Sequence, residues 1–524
     1  MSSPNCPSTS RRLTACLPAP RTSGFCRVVA FAFCVCTFTV VPARSAFLAN
    51  DAIGASGAAP PPSVVQSPTA ATAFPVFYSI DKRFLQDANG KPFPILGRSV
   101  WFITSLSAAD YRMVIDDSVA RGFNAIEFHV INHDSRGNHA PFDGGGRMPF
   151  LKRLNGAAWN GSLSYGGNDQ MPDFTTPNEA YWLEVDQLLA YCESKGVLAL
   201  MFPAYAGYPN TDQGWMNEML ANGATRMQTY GSWIATRYKD QKNLVWMMGG
   251  DRNFFNQEIP VENGLLQGVQ SVTTQSRYFS AEWSGNTTGT NEPTFGSAMT
   301  LNSAYSWDSV TPQSRSAYAH APAEPAFLLE EPYDEEGPDG NNIDSYATQP
   351  VRRYEWWGWL STIGGYVAGN GYVWPFSNAN WQAHLDTQGS RDLARLNNLI
   401  GSIAWWQLVP SELNGMKRLI TAGNSDPAST DYIAAAADPA GSLLVAYIPP
   451  AHNGTFAIDM SAMGTTALAR WFNPATGAYT TIGNFSATGT QVFAPPGDNG
   501  SGYHDWVLLL TAAQPDRIFA DGFE

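Results

Sequence analysis

The stretch Leu244-Val-Trp-Met-Met-Gly-Gly-Asp251 decides how the chain is read. Its unbroken apolar run predicts a strand over 244–248 buried on both faces, the pattern of a parallel sheet covered by helices. The paired glycines permit a sharp turn at the strand's end, which leaves Asp251 at its mouth. The same aspartate would also serve as a helix N-cap, and the strand reading alone does not separate the two.

Outward from this strand, apolar runs alternate with amphipathic stretches. Further strands are expected at 94–96, 124–131, 197–202, 278–282, 301–305, 326–329 and 372–374. Helices are expected after Ser107, from the box Thr176-Pro-Asn-Glu179 to Lys195 with Gly196 as its stop, over 215–238, over 351–367 and over 392–408. Eight strands with helices between most of them, spread over the roughly 250 to 400 residues that a barrel with insertions occupies, predict an α/β fold of the (β/α)8 TIM-barrel type. A doubly wound sheet would carry a glycine-rich phosphate loop after its first strand, and Gly97-Arg-Ser-Val-Trp101 is not one.

Past Ser411 the rhythm changes to short strands separated by turns rich in Gly, Asn and Pro, such as Asn473-Pro-Ala-Thr-Gly477, the signature of an antiparallel β-sandwich. The expected organisation is a secretory leader at 1–45, an Ala/Pro/Ser-rich linker at 46–75, a barrel at 76–412, a sandwich at 413–512 and a terminal tail at 513–524. The leader carries five arginines, no acidic residue and an apolar run at 28–41 that suits a signal h-region and is too short to span a bilayer. An extracytoplasmic protein, secreted or periplasmic and free of the membrane after cleavage, is therefore expected.

Loss of those five arginines moves the formal charge from −14 to −19, which disfavours nucleic acid as a partner. Five of the six cysteines lie in the leader, so the mature chain keeps only Cys192 and forms no internal disulfide. Cys192 continues the helical stripe Tyr181, Val185, Leu188, Leu189 and reads as a buried, inert thiol.

Barrel active sites form at the carboxyl ends of the strands. Those ends supply two acidic candidates, Asp251 and, from Ala326-Phe-Leu-Leu-Glu-Glu-Pro332, one of two glutamates. Neighbouring residues on a strand point to opposite sides, so only one of Glu330 and Glu331 can face the axis. Pro332 makes Glu331 the natural strand terminus, and Glu331 is the expected choice. Two carboxylates at a barrel mouth can protonate one side of a glycosidic bond while attacking the other. Trp101, Tyr205, Trp283, Trp307 and Trp374, at or past strand ends, offer stacking faces for a sugar, with His129 and Asn370 as polar contacts. Trp356, Trp357, Trp359, Trp405 and Trp406 lie on expected helices and read as core. No HExxH, Walker, dinucleotide or GxSxG pattern is present, so neither a metal nor another cofactor is expected and carboxylate chemistry is left.

Gly90-Lys-Pro-Phe-Pro-Ile-Leu-Gly97 with Trp101, Arg121-Gly-Phe-Asn-Ala-Ile126, Tyr230-Gly with Arg237-Tyr238, and Asn243-Leu-Val-Trp-Met-Met-Gly-Gly-Asp251 together resemble the apiosidase-like domain, the catalytic domain of glycoside hydrolase family 140. The sandwich, with Trp471-Phe-Asn-Pro-Ala-Thr-Gly477 and Asp505-Trp-Val-Leu508, looks like the domain that usually follows it, one named for collagen binding. The resemblance implies a retaining glycosidase acting on a plant or bacterial polysaccharide or oligosaccharide, with Asp251 matching the acid/base and Glu331 the nucleophile. Two departures bear on sugar specificity: Glu331-Pro-Tyr-Asp-Glu335 differs from the family's Glu-Pro-x-Tyr-Glu-like motif, and Ala281-Glu-Trp283 lacks a histidine. The rival readings are a non-catalytic extracellular glycan- or matrix-binding protein and a lyase on uronic-acid polymers. The sandwich itself reads better as a support for the barrel than as a collagen binder.

Overall fold

The computed structural model describes residues 74–307, 309–336 and 350–512. The expected leader, nearly all of the linker and the tail lie outside the described residues. Eight strands, β1 (Ile95–Ser99), β2 (Ala125–His129), β3 (Leu198–Phe202), β4 (Leu244–Gly249), β5 (Phe279–Glu282), β6 (Asn302–Tyr305), β7 (Ala326–Glu330) and β8 (Ile363–Ala368), pair in parallel in the order β5-β4-β3-β2-β1-β8-β7-β6. Every residue of these strands is buried, as a sheet covered on both faces requires. The seam between β5 and β6 is drawn together where Leu301 N–H donates to the Phe279 carbonyl at 3.0 Å and Ser280 Oγ to the Leu301 carbonyl at 3.2 Å. The outcome is an eight-stranded barrel with a sandwich behind it.

Helices α1 (Ala108–Ala120), α2 (Glu179–Lys195), α3 (Met216–Arg237), α4 (Glu258–Gln270), α5 (Val310–Ala319), α6 (Arg352–Thr362) and α7 (Gln388–Ser402) cover the outside. Ser107 caps α1 through the Asp110 N–H, as its sequence position predicts. The box at 176–179 is corrected by two residues: Asn178, not Thr176, caps α2 through the Ala180 N–H, and Gly196 closes the helix in the left-handed region. Cys192 is buried on the inner face of α2, and burial pushes its thiol pKa up.

Two expectations about strands fail for reasons of backbone geometry. The helix expected over 351–367 stops at Thr362, and the chain turns directly into β8 at Ile363, where φ is +65°. Gly365 (φ +137°) then passes so close to β1 that a Cβ would stand 1.9 Å from the Ile95 carbonyl. The segment 372–374 is consequently loop and not the eighth strand. In β7, Ala326, Phe327 and Leu328 pair in step with Asn302, Ser303 and Ala304, but Glu330 pairs with Tyr305. One extra residue is thus inserted at Leu329, and this β-bulge reverses the facing of everything after it.

The sandwich comprises β9 (Val409–Pro410), β10 (Ile420–Ala422), β11 (Ala434–Ala437), β12 (Leu443–Ile448), β13 (Phe456–Asp459), β14 (Ala467–Phe472), β15 (Tyr479–Phe485), β16 (Thr490–Phe493) and β17 (Trp506–Ala512). A six-stranded sheet ordered β9-β11-β12-β17-β14-β15 faces a three-stranded sheet ordered β10-β13-β16. One side of the larger sheet packs on the smaller; the other side packs on α6. Trp356 stacks on Tyr447 with centroids 5.6 Å apart, and Trp357 Nε1 donates to the Tyr432 carbonyl at 2.9 Å. Between them the fully buried Arg352 donates to Asp505 at 2.6 and 2.7 Å and pairs with Asp392. Of the five tryptophans expected in the core, Trp356, Trp357, Trp359 and Trp405 are buried, whereas Trp406 is 38% exposed on a 3-10 turn.

Candidate active site

At the carboxyl ends of the strands lies a cavity of about 360 Å³. Trp101, His129, Tyr205, Asp251, Trp307 and Trp374 line it, as expected, and they are joined by Phe102, Asp134, Arg136, Gln213, Tyr305, Glu330, Tyr333 and Glu336. Asp251 is delivered by three successive positive φ angles, +91° at Gly249, +146° at Gly250 and +64° at Asp251. A side chain at Gly250 is excluded by space as well, because its Cβ would lie 2.6 Å from the Gly207 nitrogen. Gly250 N–H donates to the Glu282 carbonyl at 2.8 Å, which secures this turn against β5. Asp251 is not a cap: α4 starts seven residues later, and Oδ2 instead accepts from Gln213 Nε2 at 2.8 Å while Oδ1 accepts from the Tyr305 hydroxyl.

Three of the expected contacts are corrected. Glu331 does not reach the cavity. The bulge at Leu329 turns it outward, where it is completely buried against Glu355 of α6, and the same bulge brings Glu330 inward beside Asp251. Trp283 is buried beneath the mouth, stacked on Phe295 at 5.5 Å with its Nε1 donating to the Gly289 carbonyl at 3.0 Å. Asn370 braces the loop after β8: its Oδ1 accepts from the Tyr372 and Val373 N–H groups, and its Nδ2 donates to Glu335 at 3.1 Å.

The carboxyls form a crowd. Oxygens of Asp251, Glu282 and Glu330 lie within 4.8 Å of one another. Burial, then the charges of Glu282 and Asp251, push the Glu330 carboxyl well above the usual range, with the Tyr333 hydroxyl offsetting part of the rise. Burial also raises Glu282, followed by the charges of Asp251 and Glu127. Glu127 on β2 accepts from Ser99 Oγ at 3.1 Å and is raised by burial and by Glu330. By donor geometry, Asp251, Glu282 and Glu330 could also hold a hard divalent cation.

Around the carboxyls the wall is aromatic. His129 stacks on Tyr205 with centroids 4.2 Å apart and lies tilted against Trp101 at 4.7 Å, and burial lowers its pKa to about 3, so it faces the cavity as a neutral ring. Trp101 Nε1 donates to the Tyr333 hydroxyl at 3.0 Å. The lining cation, Arg136, forms a bidentate pair with Asp134 and lies over Trp374 at 5.1 Å. Tyr305 was signalled only by its place at a strand end; Arg136, Gln213 and Tyr333 come from loops and carried no signal.

Carboxylates at the ends of the fourth and seventh strands of a parallel barrel, under an aromatic wall, define a glycoside-hydrolase type of site. The chain belongs to the family described as "Apiosidase-like, catalytic domain", whose model matches residues 79–407, and it is a glycosidase. A second model, described as "Putative collagen-binding domain of a collagenase", matches residues 417–511. No curated protein matches the sequence. Among solved structures, the chain is similar to one titled "Glycoside hydrolase" at 19% identity and a TM-score of 0.68, covering 85% of this chain and 98% of that one. A glycoside hydrolase family 5 structure from Bacteroides vulgatus is also 19% identical, with a TM-score of 0.67 and coverage of 85% and 94%. Family membership sets aside the non-catalytic binding reading.

Proposed function

We propose that the protein is a secreted, retaining glycosidase that hydrolyses a plant or bacterial polysaccharide, with Asp251 as acid/base and Glu330, in place of Glu331, as nucleophile. One observation carries the reading: the oxygens of Asp251 and Glu330 approach within 4.8 Å across the cavity. Retaining enzymes hold their carboxyls about 5 to 5.5 Å apart, whereas inverting ones leave about 6.5 to 9.5 Å for a water. In the first step Glu330 attacks the anomeric carbon while Asp251 gives its proton to the leaving oxygen; in the second Asp251 takes a proton from water, which displaces Glu330. Tyr305 and Gln213 hold the Asp251 carboxyl in place through both steps. The rings of Trp101, Trp307 and Trp374 supply the apolar faces on which a sugar stacks.

Pectic polysaccharides, xylan and bacterial exopolysaccharides incubated with the wild type, Asp251→Asn, Glu330→Gln and Glu331→Gln supply the test. Hydrolysis should fall by roughly a thousandfold or more in the first two variants, the scale of losing a general acid or its partner. It should survive in Glu331→Gln. Proton NMR of the first-formed anomer should show retained configuration. Inversion, or loss of activity confined to Glu331→Gln, would overturn the assignment.

A further inference from the structure

Gln213, whose Nε2 holds the Asp251 carboxyl, stands on a loop with little structure of its own. Residues 203–215, between β3 and α3, form neither helix nor strand, and Tyr208 and residues 210–212 are exposed. A donor on such a loop keeps its aim only if the backbone that carries it is fixed from outside. The base of the loop is pinched: Gly207, with φ at +59°, passes so close to Gln213 that a Cβ there would stand 1.9 Å from the Gln213 carbonyl oxygen. The Tyr208 N–H donates to that same carbonyl at 3.0 Å. These two contacts close the loop on itself.

The anchor from outside is His133, in the loop that follows β2. Its ring is buried, edge-on to Trp215 with centroids 4.8 Å apart. Nδ1 lies 2.9 Å from the Asp212 carbonyl oxygen, and because a carbonyl can only accept, Nδ1 carries the proton. The His133 backbone carbonyl accepts from the Gly214 N–H at 2.7 Å. The Asp212 carbonyl and the Gly214 N–H belong to the two peptide groups that flank Gln213, so one residue grips the backbone on both sides of the donor. Behind the ring, Nε2 meets Glu218 Oε1, in the first turn of α3, at 3.0 Å, which fixes how the ring is turned. A continuous line of contacts thus runs from Glu218 through His133 and the Asp212 peptide to Gln213, and from Gln213 Nε2 to Asp251 Oδ2 at 2.8 Å.

We propose that His133 is a positioning residue for the acid/base: by gripping the peptide groups on both sides of Gln213 it aims Nε2 of that side chain at Asp251 and keeps the carboxyl directed at the leaving oxygen. The proposal rests on the reading of Asp251 as acid/base. His133 touches neither the substrate nor the reacting atoms, and it exchanges no proton during turnover. Its effect is carried by distance alone, since an error of about 1 Å in such an arrangement costs on the order of a hundredfold in rate.

The test uses the full chain carrying His133→Asn, Gln213→Ala, or His133→Leu made together with Glu218→Leu so that no carboxylate is left buried and unpaired, each checked for folding by thermal unfolding. The asparagine amide stands where Nδ1 stands and can still donate to the Asp212 carbonyl; leucine cannot. Two substrates are compared: the panel polysaccharide that the wild type hydrolyses, and the dinitrophenyl glycoside of the sugar it releases, whose phenolate departs without a proton. On the polysaccharide, the double-leucine variant and Gln213→Ala should each lower kcat/KM by roughly ten- to a hundredfold, the scale of one hydrogen bond to a charged group. Adding Gln213→Ala to the double-leucine variant should lower it no further. His133→Asn should stay within about fivefold of wild type. On the dinitrophenyl glycoside every variant should stay within about threefold of wild type, because kcat/KM reports the first step and that step no longer needs the acid. Equal losses on the two substrates would show that His133 only supports the fold. Losses that multiply on combination would show that it does not act through Gln213. Wild-type activity of the double-leucine variant, or His133→Asn as weak as that variant, would show that the grip on Asp212 is not needed, and each of these results overturns the proposal. Gln213 is half-buried on a surface loop, so Gln213→Ala folds even where the buried pair does not tolerate leucine, and full polysaccharide hydrolysis in it would overturn the proposal alone. Failure of the acid/base reading is seen separately, as polysaccharide hydrolysis persisting in Asp251→Asn.

Discussion

Asp251 holds φ at +64°, a conformation that asparagine tolerates better than other neutral residues. Asp251→Asn is thus the substitution that removes the acid without disturbing its backbone. Beneath it, the wholly buried Glu262 of α4 accepts from the Gly249 N–H at 3.0 Å, and burial raises its carboxyl from 4.5 to about 8. In the unfolded chain this group ionises near 4.5, while in the fold it keeps its proton until about pH 8, so its contribution to stability is full below 4.5 and is lost as pH rises toward 8. Glu262→Gln, whose amide oxygen can still accept from Gly249, should raise Tm relative to wild type more at pH 8 than at pH 5. An equal shift at both pH values, read by thermal melts, would contradict this. Residue identities such as Asp251, Trp101, His129, Tyr205, Trp307 and Trp374 were legible in the sequence because a strand end is announced by its apolar run. Glu330 was not: the choice over Glu331 turns on a bulge, and a bulge is a property of two strands in register, invisible in either alone.

At the scale of the element, the first seven barrel strands were readable to within a few residues, most of them as short apolar runs closed by polar or glycine residues and the more polar β5 and β6 more weakly. The eighth was not. The segment from Trp356 to Val367 is buried throughout, Ser361 and Thr362 included, and periodicity cannot say where a buried helix ends and a buried strand begins when no loop separates them. The break is made by Ile363 and Gly365, and Gly365 admits no side chain. Gly365→Ala would force a Cβ toward the Ile95 carbonyl at the junction of β8 and β1, where the last barrel strand pairs with the first. The expected cost is at least about 3 kcal/mol, from backbone strain together with the loss of ladder geometry. A chemical denaturation midpoint within error of the wild type would refute the clash.

Across the whole molecule, α6 joins the two halves. Its Arg352 is held by one carboxylate from the barrel's own α7, Asp392, and one from the sandwich, Asp505. Arg352→Met would leave both carboxylates buried without their main partner and should cost about 3 to 5 kcal/mol. Because the lost cation serves both halves at once, barrel and sandwich should still melt in one calorimetric transition, shifted to lower temperature. Two separate transitions in the wild type would show that the sandwich is an independent module. A supporting role for this domain could be suspected from sequence, but the helix it leans on could not, since the contact depends on the aromatic stack of Trp356 on Tyr447 and not on any motif. The buried carboxyls have an electrophoretic consequence of their own. Glu127, Glu262, Glu282, Glu330, Glu331, Asp334 and Glu355 are all raised by burial, against two histidines, His129 and His452, that burial lowers. Near the composition-derived isoelectric point of about 4.9 the folded chain therefore carries fewer negative charges than its unfolded counterpart, and in an electric field it comes to rest at a higher pH than the same chain in urea.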